Sequence, residues 1–212
     1  MTDRVSAFVG LGANLGEPSR TLAAAVHALA VLPGVRVEAV SPLYATRPVG
    51  VVGQPEFRNS VVRLDVPAGE SAATGAVALL IALKAIERAF GRRSGERWGP
   101  RELDLDLLLF GDADVSVIRP PEGVSLDAGH RDRLLIVPHP EAHERLFVLA
   151  PLADLAPDLV PPGWSETVAA ARDRRARAEG PGAVRVAGTW DGEGWSVDDQ
   201  SQARDELPAP RL

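Results

Sequence analysis

The sequence predicts an α+β fold: a ferredoxin-like βαββαβ core, an antiparallel sheet with both helices packed on one face, and extra C-terminal elements. Three observations carry this reading. Four segments have strand patterning, two have helical spacing, and they alternate as strand, helix, strand, strand, helix, strand.

VSAFVGL at 5–11 reads as a short buried strand. Gly10, Gly12 and Gly16 then form a glycine turn into a helix with Leu22, Ala25, Val26, Leu29 and Leu32 at helical spacing, stopped by Pro33 and Gly34. VRVEAVS at 35–41 is the second strand. The Pro/Gly-rich stretch from Pro42 to Pro55 is a long loop, and its length makes it a candidate binding loop. FRNSVVRLDV at 57–66 is the third strand. Residues 71–90 form the second helix, with Leu79, Leu83, Ile86 and Phe90 on one face and Lys84 and Glu87 as i,i+3 neighbours beside it. The arginine-rich turn GRRSGERWGPR delivers the chain into the fourth strand, LDLDLLLF at 103–110.

Residues 112–133 hold Pro120, Pro121, Gly123 and Gly129 with little periodicity and read as an inserted surface loop. The core resumes at LLIVPHP, HERLFVLAPLADLAP packs as a short helix and turn, and a last helix over 166–179 presents its arginines to solvent. Residues 180–212 carry six acids against three bases, hence −3, with five glycines and three prolines. They read as an acidic tail after a domain spanning 1–179, within which VRVAGTW, DGEG and WSV suit a hairpin.

The 212 residues carry a net charge of −6, which disfavours nucleic acid and anionic membrane surfaces as partners. No cysteine is present, so disulfides, thiolate zinc sites and cysteine nucleophiles are all excluded. No apolar run approaches the roughly 20 residues of a membrane span. MTDRVSAFVG lacks the pattern of a signal sequence, and a cytoplasmic monomer with small-molecule partners is the expectation. The bases are 22 arginines and the single Lys84, a skew that weakens any one arginine as a functional signal.

The chemistry concentrates in RWGPRELDLDLLLF. Strand alternation puts Asp104, Asp106, Leu108 and Phe110 on one face and Leu103, Leu105, Leu107 and Leu109 on the other. The two aspartate Cα atoms then lie roughly 6.6 Å apart, close enough to hold two ions about 3.5 to 4 Å apart. Alternation alone is far more often the mark of an amphipathic strand with its acids in water. The approach to the strand shifts the balance: residues 84–101 carry six bases against two acids in an otherwise acidic chain. Mg²⁺ uses one or two carboxylates plus phosphate oxygens, and arginine forks clamp phosphates. The pairing suits a polyphosphate.

RWGPRELDLDLLLF, VGLGANLGEP, SPLYATRPVGVVGQPEFRNSVV and VPHPEAHERLFVLAPL together resemble the 6-hydroxymethyl-7,8-dihydropterin pyrophosphokinase family of folate biosynthesis, over residues 5–162 and in the family's order. The resemblance implies an ATP-dependent diphosphotransferase that uses two Mg²⁺ ions and releases AMP. It implies Asp104 and Asp106 as metal ligands, and Arg92 and Arg101 as phosphate-clamping, catalytic-loop arginines, with Arg93 beside Arg92 leaving two alignments for the first. Lys84, Glu87 and His139 match nucleotide-side positions. Phe57 and Phe147 match an aromatic sandwich for the pterin, Asn59 its edge reader, Thr46 and Val49 loop contacts, and Trp98 a residue closing over the ring. A flat heteroaromatic gains from offset stacking, and an amide offers both donor and acceptor to its edge. The chain departs from the family pattern at Lys84, where glutamine is common, at Arg47, and at Ser94 and Gly95.

Two other classes compete. GLGANLG after a strand, with Glu38 downstream, imitates a dinucleotide-binding fingerprint, although its spacing is GxGxxxG and two consecutive strands follow. A pterin-binding module without turnover is the other. No GxxxxGK[ST] is present, so P-loop phosphotransfer is excluded.

Overall fold

The computed structural model describes residues 3–47, 55–91, 101–120 and 134–197. Within them the strands are β1 (Arg4–Ala13), β2 (Arg36–Val40), β3 (Leu43–Thr46), β4 (Phe57–Pro67), β5 (Asp104–Phe110), β6 (Val115–Ile118), β7 (Leu134–Val137), β8 (Val184–Trp190) and β9 (Trp195–Val197). The helices are α1 (Pro18–Ala30), α2 (Ala72–Ala89), α3 (Leu146–Leu155) and α4 (Val168–Glu179). Pro18 opens α1 at a position where its missing N–H costs nothing. A capping box between Ser71 and Thr74 opens α2.

The result is a mixed α+β structure around an antiparallel sheet. Strand order is β5-β1-β4-β3-β8-β9, with β2 also pairing β4, and β6 and β7 form a separate two-stranded ribbon. α1 and α2 bury Leu22, Leu29, Leu79, Leu80 and Leu83 against Ala7, Val9, Leu11, Val62 and Leu64 on one face. Each fully buried leucine contributes about 1.5–3 kcal/mol. The opposite face presents Phe8, Val61, Leu108 and Leu109, and α3 and α4 cover it with Val148, Leu149, Leu152, Val168 and Ala171. The expected single helical face therefore holds for α1 and α2, while the sheet's second apolar face draws a further helical layer.

Local expectations change in five places. Gly10 and Gly12 lie inside β1 instead of in a turn, paired to Asp106 and Asp104 of β5. Only Gly16, at φ +63°, takes the turn conformation. With those glycines in the strand and every pairing among the described residues antiparallel, the dinucleotide-fold alternative loses its phosphate loop. The stretch 42–55 is not all loop, because β3 lies within it and pairs β4. In 112–133, β6 pairs β7, and residues 121–133 fall outside the described part. Within 180–212 the hairpin forms, but it joins the main sheet by pairing β8 to β3.

The fifth correction concerns faces. Register slips between β1 and β5, so that Val9 faces Leu107 and Phe8 faces Leu109, leaving Leu108 as an extra residue. Leu108 stays on the aspartate side, over Gly10, but Leu109 joins it there and Phe110 turns to the α2 side. Phe110 fits because Gly75 of α2 lies beneath it: a Cβ there would stand 2.7 Å from the ring and 2.2 Å from the Ala68 carbonyl oxygen.

Candidate functional site

Direct cross-strand partners share a face of the sheet. Asp104 of β5 faces Gly12 of β1, Gly12 faces Asn59 of β4, and Asn59 faces Tyr44 of β3. One row therefore runs aspartate, glycine, asparagine, tyrosine across four strands, and the next runs Asp106, Gly10, Val61. Both carboxylates are half-buried. At about 4.8 Å between strands, Asp104 and Asn59 are roughly 10 Å apart with no side chain between them. The glycines open a floor on which a flat ligand at Asn59 could meet a polyphosphate at the acids.

Asn59 and Thr46 are buried, and Asn59 Nδ2 donates to Thr46 Oγ1 at 2.8 Å. Phe57 lies on the same face as Asn59, opposite Thr46. α3 is tied to this corner by the Tyr44 hydroxyl, which donates to Asp154 at 2.7 Å. Burial, and then the Asp154 carboxylate, push the Tyr44 hydroxyl well above the usual phenol range. α3 also carries Phe147, which packs against the apolar cluster on this face, with the Arg145 guanidinium 5.7 Å from its ring centre.

His139 follows β7, and its N–H donates to the Leu108 carbonyl at 2.8 Å, which fixes it beside the strand of acids. Glu141 N–H donates to His139 Nδ1 at 3.2 Å, so the neutral ring presents Nε2–H. Burial lowers the imidazole pKa; Asp106 and Asp104 pull it up, and Arg145 and Arg119 push it down. His139 thus senses both acids and two arginines that sequence reasoning did not single out. Arg145 stood in the recognised segment HERLFVLAPL, and its ion pair with Glu141 holds it there. Arg119 had no sequence signal.

Lys84 and Glu87, which the resemblance matches to nucleotide-side positions, pair with each other beside β5. Both are buried, at 5% and 1% exposure. Lys84 Nζ donates to Glu87 Oε1 at 2.7 Å and to the Leu105 carbonyl at 3.0 Å, while Leu105 N–H donates to Glu87 Oε1 at 2.7 Å. β5 is an edge strand, and this pair satisfies its outward peptide groups at the residue between the two aspartates.

Asn14, 2% exposed, is a further residue that the reading missed although it stood in VGLGANLGEP. It exchanges hydrogen bonds with the backbone of Arg101 at 3.0 and 2.7 Å, and its Nδ2 reaches the Pro55 carbonyl at 3.4 Å. Arg101 is thereby held at the foot of β5. Val49, Arg92 and Trp98 lie outside the described residues.

No cluster of three or more metal-ligating side chains occurs among the described residues. The donor set is two carboxylates on one strand face, all oxygen, which fits a hard cation that completes its shell with water and phosphate oxygens.

The family model for 7,8-dihydro-6-hydroxymethylpterin-pyrophosphokinase matches residues 8–157. The chain is 45% identical over 152 residues to 2-amino-4-hydroxy-6-hydroxymethyldihydropteridine pyrophosphokinase of Pseudomonas aeruginosa, covering 72% of this chain and 81% of that one. It is 41% identical over 180 residues to the protein of the same name from Methylorubrum extorquens, covering 85% and 98%. Among solved structures, wild-type Plasmodium falciparum HPPK-DHPS with pteroate superposes with a TM-score of 0.67 at 14% identity, over 93% of this chain and 48% of that one. The chain spans about half the length of that structure, and at this identity the likeness concerns the fold. The aspartate pair, the asparagine two strands away and the arginine at the foot of β5 all fall within the matched span, and the chain belongs to the 7,8-dihydro-6-hydroxymethylpterin-pyrophosphokinase family.

Proposed function

We infer that the chain transfers a diphosphoryl group from ATP to the hydroxymethyl oxygen of 6-hydroxymethyl-7,8-dihydropterin and releases AMP, a step of folate biosynthesis. One observation carries this beyond family membership. Asp104 and Asn59 lie in one cross-strand row with only Gly12 between them, which supports a phosphate end and a ring end on one continuous floor.

The pterin oxygen bonds to the β-phosphorus as the bond from that phosphorus to the α–β bridging oxygen breaks. AMP leaves with the bridging oxygen, and the hydroxyl proton passes to water. Asn59 and Thr46 orient the ring edge, and Phe57 and Phe147 stack on its faces. Arg101 and Arg92 bear on the phosphates, with Trp98 and Val49 at the pterin. His139 offers Nε2–H on the nucleotide side. Asp104 and Asp106 would hold two Mg²⁺ ions, which supply charge neutralisation and a more acidic hydroxyl when bound. The chain's own contribution is positioning and electrostatics, with no covalent protein intermediate. Lys84 and Glu87 serve this site by holding β5. The core βαββαβ unit is read as ferredoxin-like and the enzyme as a cytoplasmic monomer; no helix among the described residues is long and apolar enough to cross a membrane.

Incubation with ATP, Mg²⁺ and the reduced pterin tests this reading. AMP should appear in step with diphosphorylated pterin. ADP would replace it with an ordinary kinase, and binding without turnover would favour a pterin-binding module.

A further inference from the structure

β8 and β9 lie beyond residue 157, where the family match ends, yet they complete the sheet next to the proposed pterin site. β8 pairs β3 with Val184 opposite Thr46, Arg185 opposite Ala45 and Val186 opposite Tyr44. Without it β3, a four-residue strand carrying two members of the site, would be the sheet edge. A side-chain contact crosses the same corner. Arg185 Nη2 meets Glu56 Oε2 at 2.5 Å, and the same oxygen faces Arg58 Nη1 at 3.4 Å. Glu56 immediately precedes Phe57, so β8 holds Thr46 through backbone pairing and, through the ion pair, the residue that leads into its partner Phe57.

The hairpin is itself anchored. Trp195 is buried, and its Nε1–H donates to the Ser41 carbonyl at 3.0 Å, just before β3 begins. Trp190 packs edge-to-face on Trp195 at 4.7 Å between ring centres. His27 of α1 hydrogen-bonds the Glu193 carbonyl at 2.8 Å, across the hairpin turn. The tryptophans fix the hairpin to the body of the protein, and Arg185 passes that restraint to the strand ends.

We propose that the β8–β9 hairpin is a positioning element for the pterin subsite, and that Arg185 is its positioning residue, acting through Glu56 on Phe57 and Thr46. The proposal rests on the assignment of Thr46, Phe57 and Asn59 to the pterin. It accounts for a C-terminal hairpin placed on the ring side of the site and not on the β5 side, where the acids lie.

The test is calorimetric binding of 6-hydroxymethylpterin to the full chain in the presence of α,β-methylene-ATP and Mg²⁺, with binding of the nucleotide analogue measured separately. Arg185→Gln should raise the pterin dissociation constant roughly three- to fivefold, the range expected of a partly exposed ion pair, with nucleotide affinity within twofold. Arg185→Lys should recover at least half of the loss. Glu56→Gln should reproduce the effect, and the double variant should add nothing to it. Equal changes in pterin and nucleotide affinity, or no change in either, would overturn the proposal. Asn59→Ala separates the two levels: if it weakens pterin binding while Arg185→Gln does not, the hairpin's role fails and the site assignment stands. If Asn59→Ala is itself silent, the site assignment fails.

Discussion

Asn14 and Arg101 hold one another through two hydrogen bonds. Asn14 N–H donates to the Arg101 carbonyl at 3.0 Å, and Arg101 N–H donates to Asn14 Oδ1 at 2.7 Å. The end of β1 and the start of β5 are thereby fastened where the arginine-rich segment enters the acid-bearing strand. Asn14→Ala leaves a part-buried N–H at residue 101 without this acceptor, a loss of about 1 kcal/mol. Turnover should fall by more than tenfold while the fold survives, as read by thermal melting beside the AMP assay. An unchanged rate would show that Arg101 needs no such anchor.

The acids themselves give the sharpest outcome. Asp104→Asn and Asp106→Asn keep side-chain shape and remove charge, so each should abolish measurable turnover with melting temperature within a few degrees of the parent. Near-normal rates in both variants would remove the metal role.

Gly12 separates Asp104 from Asn59, and a Cβ at that position would stand 3.1 Å from Asn59 Oδ1. Gly12→Val would fill the floor between the two ends of the site. It should weaken pterin binding by at least tenfold, measured by calorimetry. Retained affinity would show that the ligand does not cross this row.

The Lys84–Glu87 pair is buried, so removing one partner strands the other charge. Lys84→Met should destabilise by about 3–5 kcal/mol, measured by urea unfolding, whereas Lys84→Met with Glu87→Leu should recover a large part of that loss. Lys84→Gln, able to donate to both the Leu105 carbonyl and Glu87, should be the mildest single change. Equal costs for Lys84→Met and Lys84→Gln would contradict the hydrogen-bonded role.

His139 has a definite sign. Its folded pKa lies below the ordinary 6.5 because burial penalises the cation. Between that folded value and 6.5 the unfolded chain binds more protons, so the contribution to stability is complete above pH 6.5 and is lost as pH falls through the folded pKa. Imidazole NMR should show a midpoint below 6.5, and His139→Gln should flatten the acid limb of the stability profile. A midpoint above 6.5 would mean that the two aspartates outweigh burial.

Much of the site was legible because the sheet turns spacing into shared faces. Asp104 with Asp106, and Phe57 with Asn59, follow from a period of two, and recognised segments supplied their chemistry. The same rule failed at Leu109 and Phe110, because a bulge at Leu108 depends on register with β1, a property of two strands that neither encodes alone. Lys84 was legible as a charge on a helix but not as the cap of an edge strand, since nothing local says which strand will be left without a neighbour.

Composition, periodicity and motif chemistry were thus sufficient for the first two helices and the four strands beside them, the acid pair, the aromatic and amide residues, and the family, because each depends on neighbours along the chain. Packing in three dimensions decided the rest: that Gly10 and Gly12 clear a floor between acids and asparagine, that Asn14 fastens Arg101, and that the acidic C-terminal stretch returns to pair with β3. Those relations join residues up to 166 positions apart, as between His27 and Glu193. They exist only once burial of two apolar sheet faces has brought such distant segments together.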